Sequence, residues 1–374
     1  MINEVADAFE RKDYRTAGRL LKQLVKQEPN NPMVRLYIGR LYEATGKLEQ
    51  AEAVYRKLLR DTTNPKVMSQ ARQGLGRLEA MEQEQRRQAF AQVSTDSSST
   101  ELGVLILEPI DAELKQKVAQ KFARIVQLDA YTARLQLPSR GWRLYRTGAM
   151  GELQVFVSLM RQAEVPCFSV SLADIQKINV FNVQYLGEES QGSQGTAICQ
   201  NVEGQVGSLT FNWSEVARRV EGLLPLFEEV VDLDARRRLQ RKTKTLDYVQ
   251  FCDLHLPGRN SILRMCDRHY QFQQGMAFSQ QRLAQQNGKS SASSLNQSTT
   301  RRNWNTLLAF LNYQLPKIPV WSDFTGFAET AIDFKEMLGH LSSHIDLSRD
   351  EETPWDPAFQ LYSGLVFVKN ASES

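Results

Sequence analysis

Residues 32–61 read PMVRLYIGRLYEATGKLEQAEAVYRKLLRD, and the pattern is that of two helices joined by a tight turn. Leu36, Ile38, Gly39 and Tyr42 fall on the first helix; Ala51, Val54, Tyr55, Leu58 and Leu59 fall on the second. Apolar residues recur at intervals of three and four, the period of a helix with one buried face. Gly46 is the natural stop between them, because glycine tolerates the left-handed conformation that ends a helix. Gly39 and Ala51 are small at the places where the two helices must cross closely. The stretch also has an echo. Tyr14, Ala17, Leu21 and Leu24 are answered 34 residues later by Leu48, Ala51, Tyr55 and Leu58. A period of this length belongs to helix-turn-helix units that stack on one another and present a concave face. A further helix, roughly 66–90, ends in the polar run Glu82–Gln88 and reads as a solvating cap.

The pattern resembles the tetratricopeptide repeat. The first-helix glycine and tyrosine of that family fall on Gly39 and Tyr42, its turn glycine on Gly46, and its second-helix alanine and aromatic residue on Ala51 and Tyr55. The closing proline falls on Pro29 in the first unit and is displaced to Pro65 in the second. The first unit departs from the pattern, with Val5 in place of the first-helix glycine and Lys12 in place of the turn glycine. The resemblance implies a protein-binding groove whose concave face carries Arg35, Leu36, Arg40 and Glu43. No lysine–asparagine pair stands ready to grip a terminal carboxylate, so a clamp for chaperone tails is not implied. Beyond these repeats the chain is loosely similar to repeat-bearing cyanobacterial proteins, a likeness that no single motif carries.

At 374 residues the chain exceeds what one ordinary core organises, so several domains are expected. Its 41% hydrophobic and 24% charged residues exclude a disordered or fibrous chain. A net charge of +3 is close to neutral, so nucleic-acid binding would need a local basic patch. Four cysteines make no disulfide framework, which points to a reducing compartment. The opening MINEVADAFERKDY lacks the apolar stretch of a signal peptide, and no apolar run approaches about 20 residues. A cytoplasmic protein is expected.

The polar, serine-rich VSTDSSSTE at 93–101 marks a boundary. Gly103–Leu107 then reads as a buried strand, Asp111 as a helix N-cap, and Leu114, Val118, Phe122 and Ile125 as one helical face. A helix at 149–163 and a strand at Cys167–Val170 complete a small α/β unit. Hairpins are expected around Gly204 and around 257–260, with Asn212 and Glu215 boxing a helix over Trp213–Leu223. Trp304, Leu307, Leu308 and Leu311 mark one more helix and Phe324–Leu341 another, while Leu361–Val368 reads as a closing strand. The expected organisation is multidomain: an all-α tetratricopeptide-like helical repeat domain, then an α/β to α+β body. Its boundaries are 1–91 for the repeats and cap, 92–102 for the linker, and 103–175 for the α/β unit. The α+β region spans 176–278, a disordered Gln/Ser-rich insertion 279–302, and a helical C-terminal region 303–374.

Three constellations hint at chemistry. Cys252-Asp-Leu-His255 and Cys266-Asp-Arg-His269 supply the ligand types of a structural zinc site. On strands, however, residues three apart point to opposite faces; a two- or four-residue turn also separates the two cysteines, while a three-residue loop would set Cys252 across from Cys266 with both histidines still pointing away. His340 and His344 stand one helical turn apart, near Asp333 and Glu336, yet Leu341 occupies the place of a protease's general base. In the run Arg236, Arg237, Arg238, Arg241, Lys242 and Lys244, the residues Arg237 through Lys244 would cover roughly 160° of a helix, opposite Leu239 and Leu246. Arg237, Arg238, Arg241, Lys242 and Lys244 are therefore candidate anion-binding residues. Glu108-Pro109 follows the first strand where a phosphate loop would need glycines. No catalytic residue, metal site or cofactor is assigned. The reading that follows is a non-enzymatic adaptor or scaffold that binds a protein partner through its repeat groove, with a second surface on the body. The alternatives are a nucleic-acid-associated protein using 236–244, or an enzyme with a site in the central region.

Overall fold

The computed structural model describes residues 1–93, 100–188, 192–233, 239–276, 300–347, 349 and 352–371, and the chain divides into compact units at Met1–Thr95 and Asp96–Ser374. The expected insertion therefore falls largely on 277–299, outside the described residues, as does most of the serine-rich linker.

The first unit is helical: α1 (Ile2–Glu10), α2 (Tyr14–Gln27), α3 (Pro32–Ala44), α4 (Leu48–Asp61) and α5 (Pro65–Val93). Its helix starts are written locally. Asp13 Oδ1 accepts from Thr16 N at 3.0 Å to cap α2, and Asn31 Oδ1 accepts from Met33 N at 2.9 Å to cap α3. Pro32 takes the first turn of α3, where its missing N–H costs nothing. Asn64 and Pro65 repeat the device at α5, with Asn64 Oδ1 accepting from Lys66 N at 3.0 Å. The turn inside each unit needs a left-handed residue, Gly46 at φ 74° in one and Lys12 at φ 57° in the other. Ala17, Leu21 and Leu24 of α2 are buried, as are Ala51, Tyr55 and Leu58 of α4, so most of the internal echo joins core positions. Tyr55 is wedged between two helices. A Cβ at Gly39 of α3, or at Gly74 of α5, would lie 2.5 Å from its ring.

In the second unit, β1 (Leu102–Leu107), β2 (Arg143–Ala149) and β3 (Cys167–Ser171) form an antiparallel sheet in the order β2-β1-β3. Its helices are α6 (Ala112–Val126), α7 (Ala130–Gln136), α8 (Met150–Gln162) and α9 (Leu172–Gln176). Asp111 stands at the N-cap of α6, without a side-chain hydrogen bond. The strand β2 carries no apolar run; as an edge strand it buries only Leu144, which is why its sequence does not announce it. The second sheet contains β4 (Asn179–Leu186), β5 (Gln194–Gln200), β6 (Val206–Asn212), β7 (Arg218–Leu233), β8 (Leu239–Leu256), β9 (Ser261–Cys266) and β10 (Val320–Trp321). Their order is β10-β7-β8-β9-β4-β5-β6, with β10 parallel to β7 and β4 parallel to β9. The last helices are α10 (Thr300–Gln314), α11 (Phe324–Ala331), α12 (Lys335–Leu338) and α13 (Trp355–Ala371). One face of this sheet, through Val220, Leu224, Val249 and Phe251, packs on α11, α13 and the first sheet's Val104 and Ile106. The other face, through Cys252, Leu254, Leu263 and Met265, packs on Trp304, Leu307 and Leu311 of α10.

Four local expectations are corrected. Asn212 and Glu215 do form a capping box, but it starts a single helical turn at Trp213–Glu215, after which the chain extends as β7. Val220 and Leu224 are buried while Leu223 is exposed, a two-residue alternation that pairing with β8 fixes. The basic run is likewise no helix: from Leu239 onward it is β8, and Arg236, Arg237 and Arg238 lie outside the described residues. Residues 361–368 are helical, inside α13, where every residue from Asp356 to Phe367 is buried. A helix apolar on all sides reads in sequence like a buried strand. Finally, the expected helix Phe324–Leu341 breaks into α11 and α12.

Candidate protein-interaction site

The residues expected on the concave face of the repeats have different fates. Leu36 is 0% exposed and belongs to the core with Tyr55 and Leu58, so it has no surface to offer a partner. Arg35 binds inside its own unit: Nε to Pro29 O at 3.2 Å, Nη2 to Asn30 Oδ1 at 3.0 Å and Nη1 to Asp61 Oδ2 at 3.3 Å. Glu43 accepts two hydrogen bonds from Arg77, at 2.6 and 2.9 Å, and one from the Tyr55 hydroxyl at 2.7 Å. Burial alone would raise the Glu43 carboxyl, but the bonds from Arg77 and Tyr55 outweigh it and hold the group below its ordinary value. Burial and the neighbouring carboxylate push the Tyr55 phenol up. These groups tie α3, α4 and α5 together. Arg40 differs: its guanidinium lies 5.6 Å from the Tyr37 ring centroid, and it forms no ion pair among the described residues.

The chemical constellations resolve through strand register. The four-residue connection 257–260 pairs Cys252 with Met265 and Phe251 with Cys266. Cys252 therefore faces α10 and Cys266 faces α13, each in a different core. Burial pushes both thiols up, Cys266 to about 12. His255 points away from Cys252, and His269 is exposed beyond the end of β9. His340 and His344 follow α12 on irregular backbone, His344 at φ 54°, so the helical spacing that could have paired them does not exist. Within the basic run, Lys242 and Lys244 are exposed on one face of β8, and Lys244 sits opposite Glu228 of β7. Arg241 lies on the same strand, whereas Arg237 and Arg238 are outside the described residues.

One polar cluster escaped the sequence reading. Asp253 of β8 receives Nε and Nη2 of Arg264, from β9, at 2.9 and 2.8 Å, and both side chains are 0% exposed. Ser363 of α13 donates to Asp253 Oδ2 at 2.6 Å, and His255 Nε2 lies 3.0 Å from the same hydroxyl. The serine hydrogen is committed to Asp253, so His255 donates from Nε2 and its bare Nδ1 has no partner among the described residues. Burial holds the His255 imidazole down at about 4. Arg264 Nη1 also donates to Ser343 O at 2.7 Å, and Ser343 Oγ donates to Glu352 Oε1 at 2.9 Å. Serine, histidine and aspartate meet here, yet the serine bridges the other two and the aspartate is clamped by arginine. The group fastens β8, β9 and α13 to Ser343 and Glu352; Ser363 is 0% exposed, so the arrangement gives no route for a substrate to the hydroxyl. The alternation of Asp253 and His255 on one face was its signal in sequence. Ser363 could not be placed beside them while its segment read as a strand.

An open feature of the second unit is a two-lobed cleft between β2 with its preceding loop and the segment 322–334. The lobes measure about 400 and 340 Å³ and share Arg143 and Thr330. Arg140, Arg143 and Arg146 line one wall; Asp323, Glu329 and Asp333 line the other.

Among the described residues no helix is long and apolar enough to cross a membrane, and no group of three or more His, Cys, Asp or Glu side chains is placed to hold a metal ion. No curated protein and no solved structure matches the chain. Residues 8–73 match the family described as tetratricopeptide repeat. The stacked hairpins that begin this chain are thus tetratricopeptide repeats, and they point to protein interaction.

Proposed function

We propose that the chain is a non-enzymatic adaptor of the cytoplasm, which holds a protein partner in the groove of its repeats while the body contributes a second surface. The observation that carries this reading is the match over residues 8–73, together with the paired helices α1–α2 and α3–α4 and the long closing helix α5. Of the residues first expected to touch the partner, Arg40 is the best placed. Its charge is not taken up by an ion pair among the described residues, and its guanidinium lies over Tyr37, which packs on Phe9 at 5.5 Å. Arg35 and Glu43 shape the groove from behind, through the bonds that fix the ends of α3. Arginine and tyrosine are the side chains that dominate protein interfaces. The cytoplasmic placement rests on four free, buried cysteines.

The test is crosslinked capture of partners from the source lysate on full-length wild type, Arg40→Glu and Lys242→Glu/Lys244→Glu, each with and without nuclease. A protein retained after nuclease treatment by wild type and the double variant, and lost at least about tenfold by Arg40→Glu, supports the reading. Retention that disappears with nuclease, or that only the lysine pair governs, transfers the function to nucleic acid and ends the adaptor proposal.

A further inference from the structure

We propose that the cleft between β2 and α11 is a second docking site, one that takes an extended polypeptide segment carrying both an acidic and a basic residue. Every residue involved lies within Asp96–Ser374, so the proposal stands apart from the repeat groove.

The walls are oppositely charged and unneutralised. Arg140 and Arg143 stand on one side, Asp323, Glu329 and Asp333 on the other, and none of the five forms an ion pair among the described residues. The cationic side extends beyond the cleft. Lys115, whose Nζ donates to Ser139 Oγ at 2.8 Å, is held below its ordinary value by burial and by the charges of Arg134 and Arg143. Like charges gathered on one wall raise the energy of the free protein, and an incoming carboxylate relieves that repulsion. The acidic wall selects against a polyanion: a phosphate backbone that met the arginines would also meet three carboxylates. A polypeptide brings charges of both signs and suits both walls.

Shape agrees with a chain rather than a compact ligand. The two lobes share Arg143 and Thr330, and between them Leu144 N donates to Thr330 Oγ1 at 3.2 Å, a bridge from one wall to the other over which a segment would pass. Each is in the lower size range of sites that hold small ligand groups, so a segment lying along the cleft places different side chains in each. An apolar rim borders one lobe: Leu128 lines it, and Tyr131 and Leu135, one turn apart on α7, are 73% and 60% exposed. Exposed apolar side chains beside unpaired charge are the composition of an interaction surface.

The experiment is selection of random-sequence peptides displayed on phage against the full-length chain, followed by fluorescence anisotropy with the enriched peptides. Three variants are compared with wild type: Arg140→Glu/Arg143→Glu, Asp323→Lys/Asp333→Lys, and Arg40→Glu in the repeats. The expected result is enrichment of peptides that pair an acid with a base. Their affinity should fall at least about tenfold in either cleft variant and stay unchanged in Arg40→Glu. Loss in Arg40→Glu alone would place these peptides in the repeat groove and overturn the cleft proposal without touching the adaptor reading. Enrichment of purely acidic peptides, competition by single-stranded RNA, or no enrichment at all would overturn it too. Circular dichroism melting of each variant guards against unfolding, and the two cleft variants change opposite walls, so one suffices if the other is unstable.

Discussion

Gly74 and Gly76 lie two residues apart on α5, and their surroundings give them opposite prospects. A Cβ at Gly74 would sit 2.5 Å from the Tyr55 ring, which Gly39 holds from the other side, so the ring has nowhere to retreat. At Gly76 nothing lies within 4 Å. Gly76→Ala should stabilise the repeats by about 1 kcal/mol through helix propensity. Gly74→Ala should destabilise them by about 1–3 kcal/mol through overpacking, despite the same gain in propensity. Urea unfolding followed by circular dichroism measures both; equal shifts of the same sign would mean that Tyr55 is not wedged. Gly39 and Tyr55 were legible in sequence because a repeat pattern assigns them. Gly74 was not, because α5 carries no complete repeat. Glu43 was read as a surface residue, since the arginine that claims it stands 34 residues later, on α5, two helices farther along.

At the scale of elements, β8, β9 and α13 are fastened by the Asp253–Arg264–Ser363 group, whose members are buried. Removing one charge leaves the other uncompensated in the core, so Asp253→Ala should cost about 3–5 kcal/mol. Asp253→Leu combined with Arg264→Met removes both charges and should recover most of that loss. Urea unfolding followed by tryptophan fluorescence checks it; additive costs would show that the pair is not coupled. The same elements explain what the sequence withheld. The repeats, the strand at 102–107 and the hairpin around Gly204 follow from local period and turn chemistry. The helix α13 did not, because a segment buried all round loses the polar face that distinguishes helix from strand. β7 and the basic run misled for the converse reason: their charged residues suit a helix, and only pairing across the hairpin makes them strands. The site candidates followed suit. The two cysteine–histidine motifs supply zinc-ligand types, but strand geometry already spoke against a shared metal and register places the cysteines in separate cores, whereas the buried ionic group needed contacts across more than a hundred residues.

For the whole molecule, acid should weaken the two units unequally. All four histidines, His255, His269, His340 and His344, lie in the second unit, as do all five tryptophans. Burial holds His255 at about 4, below the ordinary 6.5, so the folded body resists a proton that the unfolded chain accepts. Because the folded value is depressed, the body keeps its full stability above about pH 6.5 and loses it as pH falls toward 4. The loss at about pH 5 is roughly 2 kcal/mol from His255 alone, and His344, also lowered by burial, adds in the same direction. The repeats contain no histidine and should change little over that interval. Tryptophan fluorescence reports the body alone, whereas circular dichroism reports both units. Unfolding in urea at about pH 7 and about pH 5 should therefore move the fluorescence midpoint down and leave a helical transition of the repeats in place. His255→Gln keeps a side-chain donor for Ser363 but does not titrate, so it should remove most of the shift. A fluorescence midpoint that ignores pH in wild type, or falls equally in His255→Gln, would show that His255 is not what makes the body acid-sensitive.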